Sequence, residues 1–141
     1  MKNGGSSSKI KEVKFEKTIK FTAESIIENA LNLHATDVHI EPRENSVLVR
    51  FRIGGVLKNM SEIPKKDFPK ITKYFKSLAG LNFSEKTFPQ SSTIHYGEAR
   101  IRISTTPVFL GEKITLRLMR ARKYVRKLNE IGLWGENLRA V

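Results

Sequence analysis

The stretch from Thr36 to Ile53, TDVHIEPRENSVLVRFRI, decides the fold of this chain. Both of its ends alternate polar and apolar side chains, which is the period of a half-buried strand, and the proline, asparagine and serine between them are typical of a turn. A register with Asp37 opposite Arg52 places the apolar side chains of both strands on one side, whereas a slip of one residue separates them. We therefore predict an antiparallel hairpin with one buried face and one charged face.

The segments on either side of this hairpin show further periodic patterns. Apolar residues at helical spacing predict one helix that ends near His34 or Ala35, and a second helix that Gly80 terminates. A third strand follows a glycine pair, and residues 99–104 and 113–119 alternate like strands. Two helices and about five strands predict an α+β sandwich, with a mainly antiparallel sheet, helices on one face and a polar opposite face.

The composition narrows the function classes. The chain has 141 residues, with 26 Lys and Arg against 14 Asp and Glu, a formal net charge of +12 and no cysteine. Disulfides and thiolate metal sites are therefore excluded, and the chain suits a reducing compartment. No apolar run approaches the roughly 20 residues of a membrane span. The positive charge favours polyanionic partners, among which nucleic acid, nucleotide phosphates and acidic membrane faces remain open.

The charged face of the hairpin carries Asp37, His39 and Glu41 on its first strand. Arg50 and Arg52 on the neighbouring strand can pair with these carboxylates, and each pair contributes some tenths of a kcal/mol up to about 1 kcal/mol. We interpret these residues as a structural charge ladder. A metal site is the weaker alternative, because the other histidines offer no spacing that completes a ligand set.

Two further arginines, Arg102 and Arg117, point away from the apolar side of the later strands. Neither has an obvious acidic partner in the strand pairs that the sequence predicts. Planar guanidinium groups on rigid strands suit a phosphate-binding surface, because they present fixed sets of donors to the oxygens of the anion. A solvated sheet face is the alternative, and the pattern alone leaves both open.

Residues 80–87, GLNFSEKT, approach the phosphate-loop pattern G-x-x-x-x-G-K-[ST]. The pattern fails at Glu85, because a carboxylate repels the anion that a glycine would let the backbone approach. The segment also follows a predicted helix instead of a strand. We therefore do not expect a nucleotide-binding loop here.

A basic cluster covers residues 117–127 and could bind nucleic acid. Only Tyr124 is available there for stacking on bases, so a solvated basic linker is the favoured interpretation. A stand-alone nucleic-acid-binding module stays open as the alternative function.

Several motifs together resemble the N-terminal domain of the ATPases that drive type II secretion, type IV pili and competence pseudopili. The resemblance covers roughly residues 20–140. Its motifs occur in one order, and they are Ala35-Thr-Asp-Val-His-Ile-Glu-Pro42, Val49-Arg-Phe-Arg-Ile-Gly-Gly55, Leu78-Ala-Gly-Leu81, Pro89-Gln90, Arg102-Ile-Ser-Thr-Thr-Pro107 and Gly111-Glu-Lys-Ile-Thr-Leu-Arg-Leu118.

This resemblance implies a PAS-like domain that is joined to a RecA-like motor domain in a hexamer. ATP and magnesium belong to the full-length protein, and this chain, which lacks a phosphate loop, should be inactive alone. By motif position, Arg102 and Arg117 are the best candidates for contact with nucleotide phosphates, and Arg50 and Arg52 rank behind them because the charge ladder competes. The implied partners are the motor domain, the neighbouring subunits and an inner-membrane platform protein, at the cytoplasmic face of the cell membrane.

The chain divides into three predicted parts. The Gly, Ser and Lys content of residues 1–20 predicts a flexible basic leader, and the resemblance implies the PAS-like domain over 21–120 and a linker and tail over 121–141. Two motifs depart from the family. The usual Arg-Ile-Asp-Gly is Arg52-Ile-Gly-Gly55, and the usual Gln-Asp-Gly-Arg is Gln90-Ser-Ser-Thr93, which removes one expected arginine. Competence ATPases also tend to lack the second motif, which makes a competence-like motor one candidate.

Overall fold

The computed structural model of this chain describes residues 22–120. The predicted leader over residues 1–20 and the predicted linker and tail over 121–141 lie outside the described residues, as does most of the basic cluster.

The described residues form two α-helices, a short 3-10 helix and six β-strands. Helix α1 is described over residues 22–32 and the 3-10 helix spans Lys65–Asp67, directly before helix α2 at Phe68–Ala79. The strands are β1 (Asp37–Pro42), β2 (Ser46–Ile53), β3 (Val56–Pro64), β4 (Gln90–Tyr96), β5 (Ala99–Val108) and β6 (Gly111–Met119).

All six strands belong to one sheet in the order β3-β2-β1-β6-β5-β4, and each neighbouring pair is antiparallel. The inward side chains of the strands and the apolar sides of both helices form one core cluster. Its members include Ile27 of α1, Phe75 of α2 and Leu116 of β6, all fully buried. Both helices therefore cover the same face of the sheet, and the opposite face carries the polar side chains.

The predicted α+β class, with an antiparallel sheet and helices on one face, is confirmed. The predicted hairpin register is also confirmed, because Asp37 pairs with Arg52 and His39 pairs with Arg50. Helix α2 ends as predicted at Gly80, which has a φ of 69° and whose N–H bonds to carbonyls of the last turn.

Two details differ from the prediction. The sheet has a sixth strand, β4, in which only Ile94 and Tyr96 supply large inward apolar side chains. Helix α1 ends at residue 32, slightly early, and His34 adopts a left-handed conformation with a φ of 56°. Neither described helix has the length and apolar character that crossing a membrane requires.

Candidate functional site

The polar face of the sheet carries a row of four charged side chains, one from each of four adjacent strands. Cross-strand pairing aligns Arg52 of β2 with Asp37 of β1, Asp37 with Arg117 of β6, and Arg117 with Arg102 of β5. We call these four residues the arginine row. Three guanidinium groups and one carboxylate thus share a rigid support, which holds a local excess of positive charge.

Asp37 is the centre of the arginine row. The Arg117 Nε lies 3.2 Å from its Oδ1 and the Arg52 Nε lies 3.6 Å from its Oδ2. The hydroxyl of Thr36 also donates to Oδ2, at 3.2 Å. Two arginines therefore share one carboxylate, although Arg117 keeps 69% of its side chain exposed.

The expectation that Arg117 lacks an acidic partner is therefore wrong. It was based on strand pairs that are close in sequence, whereas β1 pairs with β6 as well as with β2. This long-range pairing brings Asp37 beside Arg117, and alternation within single strands does not indicate it.

Arg102 has a different environment. It is exposed and lies directly opposite Arg117, so two like charges face each other across β5 and β6. Its Nη2 donates to the Ser91 Oγ at 3.1 Å. Within residues 22–120 it forms no ion pair, so its remaining guanidinium donors are available to an external anion.

The neighbouring row contains the other predicted ladder residues. Arg50 forms a short ion pair with Glu41, and Lys113 and Arg43 approach the same carboxylate at 3.6 and 3.5 Å. Burial alone raises the pKa of Glu41, but the hydrogen bond from Arg50 and the nearby positive charges outweigh it, so the pKa lies below its ordinary value. Glu41 is therefore an ionised partner of these cations.

His39 lies between the two carboxylates on β1 and is half-buried. Desolvation and the charge of Lys113 lower its pKa, against the opposing effect of Asp37 and Glu41. Its Nδ1 is buried without a hydrogen-bond partner. His39 therefore adds no positive charge to the surface at neutral pH.

The metal alternative has no support in the part of the chain that the structure describes. No group of three His, Asp or Glu side chains there is arranged to hold a metal ion. Asp37 and Glu41 bind arginine and lysine side chains instead.

The loop after α2 is not a phosphate loop. The Glu85 carboxylate accepts hydrogen bonds from the Thr87 hydroxyl, from the Thr87 N–H at 2.8 Å and from the Phe88 N–H at 3.1 Å. These bonds, with those from Thr87 first, lower the pKa of Glu85. The chain's own carboxylate thus occupies the amides that a phosphate would need.

Two functional features were missed from the sequence. The first is Ser91, whose hydroxyl accepts a hydrogen bond from Arg102. Its position in residues 90–93, where the sequence departs from the family motif, could have drawn attention to it. Lys76 is fully buried and its Nζ lies 2.8 Å from Glu112 Oε2. Lys76 falls on the apolar side of α2, where helical spacing predicts an apolar core residue. A lysine at such a position indicates a buried acidic partner.

Comparison with known proteins identifies relatives of this chain. The family described as Type II/IV secretion system protein matches residues 11–141. The type IV pilus assembly ATPase PilB of Thermus thermophilus is 37% identical over 111 residues, which are 76% of this chain and 12% of that protein. The putative type II secretion system protein E of Escherichia coli is 34% identical over 113 residues, 77% of this chain and 23% of the relative.

The competence protein ComGA of Bacillus subtilis is 27% identical over 106 residues, 72% of this chain and 30% of that relative. The chain thus spans less than a third of the length of each of these three relatives. The alternative of a stand-alone nucleic-acid-binding module is not supported by these matches.

Proposed function

The chain belongs to the family of type II/IV secretion system proteins, and from this premise we propose that it is the N-terminal coupling domain of a hexameric ATPase. The ATPase powers assembly of a type IV pilus, a competence pseudopilus or a type II secretion system, since relatives named for each of these machines match the chain. In this proposal the coupling domain performs no chemistry. It reports through its arginines whether a RecA-like motor domain holds a nucleotide.

The observation that carries the proposal is the state of Arg102. Its guanidinium is exposed on a stiff strand, donates a hydrogen bond to the Ser91 hydroxyl, forms no ion pair within residues 22–120, and faces the positive charge of Arg117. Like-charge repulsion across a strand pair destabilises the domain alone, and an anion between the two groups relieves it. A phosphate of a nucleotide bound to another domain is such an anion.

Arg117 has a second role in the proposed mechanism. In the isolated domain it binds Asp37, and its large exposure leaves it free to turn toward a phosphate beside Arg102. Binding of phosphate then favours one closed arrangement of the two domains, and loss of phosphate returns Arg117 to Asp37. Arg50 and Arg52 hold the charge ladder with Glu41 and Asp37 throughout.

The described residues suit the phosphates of ATP but not a magnesium ion. The arginine row supplies donors for phosphate oxygens, but the described residues offer no carboxylate group that suits a magnesium ion. In this proposal the motor domain holds the magnesium ion, which would supply electrophilic stabilisation of the phosphates. The described residues contribute positioning and charge compensation alone.

The proposed partners follow from this arrangement. The polar sheet face meets the motor domain of its own or a neighbouring subunit of the homo-hexamer. We place the assembly at the cytoplasmic face of the cell membrane, where an inner-membrane platform protein receives the movement.

The test compares Arg102→Ala with Arg100→Ala in the protein that carries the motor domain. Both arginines are exposed on β5, but Arg100 faces His95 and Met119 instead of the arginine row. We expect Arg102→Ala to lower the ATPase rate by about tenfold or more and Arg100→Ala to leave it unchanged, because only the former removes charge stabilisation at phosphate.

Arg102→Lys gives a further comparison. It keeps the charge but loses the paired donors, so it should restore only part of the rate. Equal rates in the wild type and Arg102→Ala, together with normal assembly of the machine, would remove the arginine row from the mechanism.

A further inference from the structure

The turn between β5 and β6 is unusual in composition. Val108 pairs with Gly111, so Phe109 and Leu110 alone make the turn. Two-residue hairpin turns normally hold glycine, asparagine or aspartate, because these residues tolerate the required backbone and face water. Here Phe109 is 101% exposed and Leu110 is 37% exposed. The described residues thus hold a large aromatic side chain entirely in water.

A groove of about 620 Å³ lies beside this turn, between the start of α2 and the loop that follows the helix. Phe68 forms part of its wall, and Phe83, Val108 and the turn itself add exposed apolar surface, with Phe83 at 48% and Val108 at 40%. Exposed apolar surface concentrated in one groove is typical of a protein interaction site. None of the residues that line the groove belongs to the arginine row.

The charged side chains that line the groove and reach its surface are basic. Lys65, Lys73 and Lys86 line it, and the ammonium of Lys73 lies 5.1 Å from the centre of the Phe83 ring. Among the described residues that line the groove, Glu112 is the one acid, and it is buried and paired with a lysine beneath the surface. An occupant of this groove therefore meets apolar walls and a basic rim.

The walls of the groove are tied together from below. Lys76 of α2 bonds to Glu112 at the start of β6 and donates from its Nζ to the carbonyl of Glu85, at 2.7 Å. The buried ammonium of Lys76 thus links α2, the hairpin of β5 and β6, and the loop that follows α2. The groove is preformed, which reduces the entropy that an occupant loses on binding.

We infer that this groove binds an acidic amphipathic segment of a different polypeptide, with a large apolar side chain against Phe109 and carboxylates against Lys73 and Lys86. Charge complementarity selects this occupant. The basic rim repels the chain's own end segments, because both are basic. Residues 1–21 carry six lysines against two glutamates, and residues 121–141 carry five Lys and Arg against two glutamates. A second copy, with a net charge of +12, is opposed as well.

The experiment selects short random peptides displayed on phage against the whole chain of residues 1–141. We expect the enriched peptides to share a large apolar residue flanked by aspartate or glutamate. A synthetic copy of an enriched peptide should bind Phe109→Ser/Leu110→Ser with about tenfold lower affinity or worse, since aromatic anchors dominate such interfaces. Because Phe109 is fully exposed and Leu110 is 37% exposed, this variant should stay folded and lower the unfolding midpoint in urea only slightly.

A matched control removes exposed apolar side chains elsewhere. Val56→Ser/Met60→Ser alters the edge strand β3, where these residues are 56% and 40% exposed, and should bind the peptide like the wild type. The double variant Lys73→Glu/Lys86→Glu should lose the acidic peptide and, in a new selection, enrich basic peptides.

Three results of the peptide experiments overturn the inference. They are the absence of any enriched peptide, enriched peptides without an acidic preference, and binding that survives loss of Phe109. Sedimentation of the chain at high concentration tests for self-association. Self-association that depends on Phe109 would identify a second copy as the occupant and would also overturn the inference.

Discussion

Asp37 is the one carboxylate of the arginine row, and it compensates charge on both Arg52 and Arg117. We expect Asp37→Asn to lower the free energy of unfolding by about 1–2 kcal/mol, because the shape is kept while the guanidinium groups of Arg52 and Arg117 lose their counter-charge. Part of this loss should return at high salt, which screens the remaining repulsion. The midpoint of urea unfolding at low and high salt measures both effects.

The control for this prediction is Glu62→Gln on β3, which removes the same charge from an exposed position. It should change the free energy of unfolding by less than about 0.5 kcal/mol. An equal loss in both variants would show that Asp37 acts only through the net charge of the chain.

His39 gives the domain a pH dependence with a definite sign. Burial first, and then the charge of Lys113, lower its pKa below the ordinary value of 6.5, while Asp37 and Glu41 oppose this shift and Arg50 adds to it. Between 6.5 and the lowered pKa, the unfolded chain binds more protons than the folded domain, so stability falls as the pH falls. We expect His39→Gln to flatten the stability profile in this window, as measured by urea unfolding at a series of pH values.

A histidine on another strand provides the comparison. His95→Gln, at an exposed position of β4, should keep the wild-type slope. Glu41 acts in a lower window, since its lowered pKa contributes stability above its ordinary 4.5 that is lost as the pH falls further. A wild-type slope in His39→Gln would assign the dependence to other groups.

Helix α2, strand β6 and the loop between α2 and β4 are held together by the buried pair of Lys76 and Glu112. We expect Glu112→Gln to cost about 3–5 kcal/mol of stability, because it leaves a fully buried ammonium without its counter-charge. The double variant Lys76→Met/Glu112→Leu should recover much of that loss, since an apolar pair needs no compensation. Urea unfolding of Lys76→Met, of Glu112→Leu and of the double variant measures the coupling between the two side chains, and strictly additive losses would refute it.

The molecule as a whole presents a platform, with a core on one face and charges on the other, and it contains no sequence that matches a phosphate loop. We expect the isolated chain to release no phosphate from ATP above background, because in the proposed function its arginines only bind phosphate and the motor domain supplies the hydrolytic centre. A phosphate-release assay with and without magnesium measures this. Hydrolysis that is abolished by Arg102→Ala would contradict the proposed division of labour between the two domains.

Much of this platform could be predicted from local patterns. Alternation gave the register of β1 with β2 and the buried faces of β5 and β6, because a half-buried strand constrains every second residue. The end of α2 at Gly80 followed from the freedom of glycine to adopt a positive φ. These features depend on neighbours in the sequence.

The remaining features depend on contacts between distant segments. The partner of Arg117 could not be assigned without the order of the strands, and Lys76 was hidden because its acid lies 36 residues away. Strand β4 was missed because an edge strand buries few apolar side chains, so its periodicity is weak. The site was therefore predictable as a set of arginines, but not in its pairing.

The order of the strands in the sheet has a consequence for folding during synthesis of the chain. The strands form two consecutive meanders, β3-β2-β1 and β6-β5-β4, which meet only where β1 joins β6. That junction brings together residues 80 positions apart, as in the bond from Arg117 to Asp37, and closing so long a loop is entropically the hardest step. Each meander contributes two members of the arginine row, so a chain that is still emerging from the ribosome has no complete arginine row until its last strand docks.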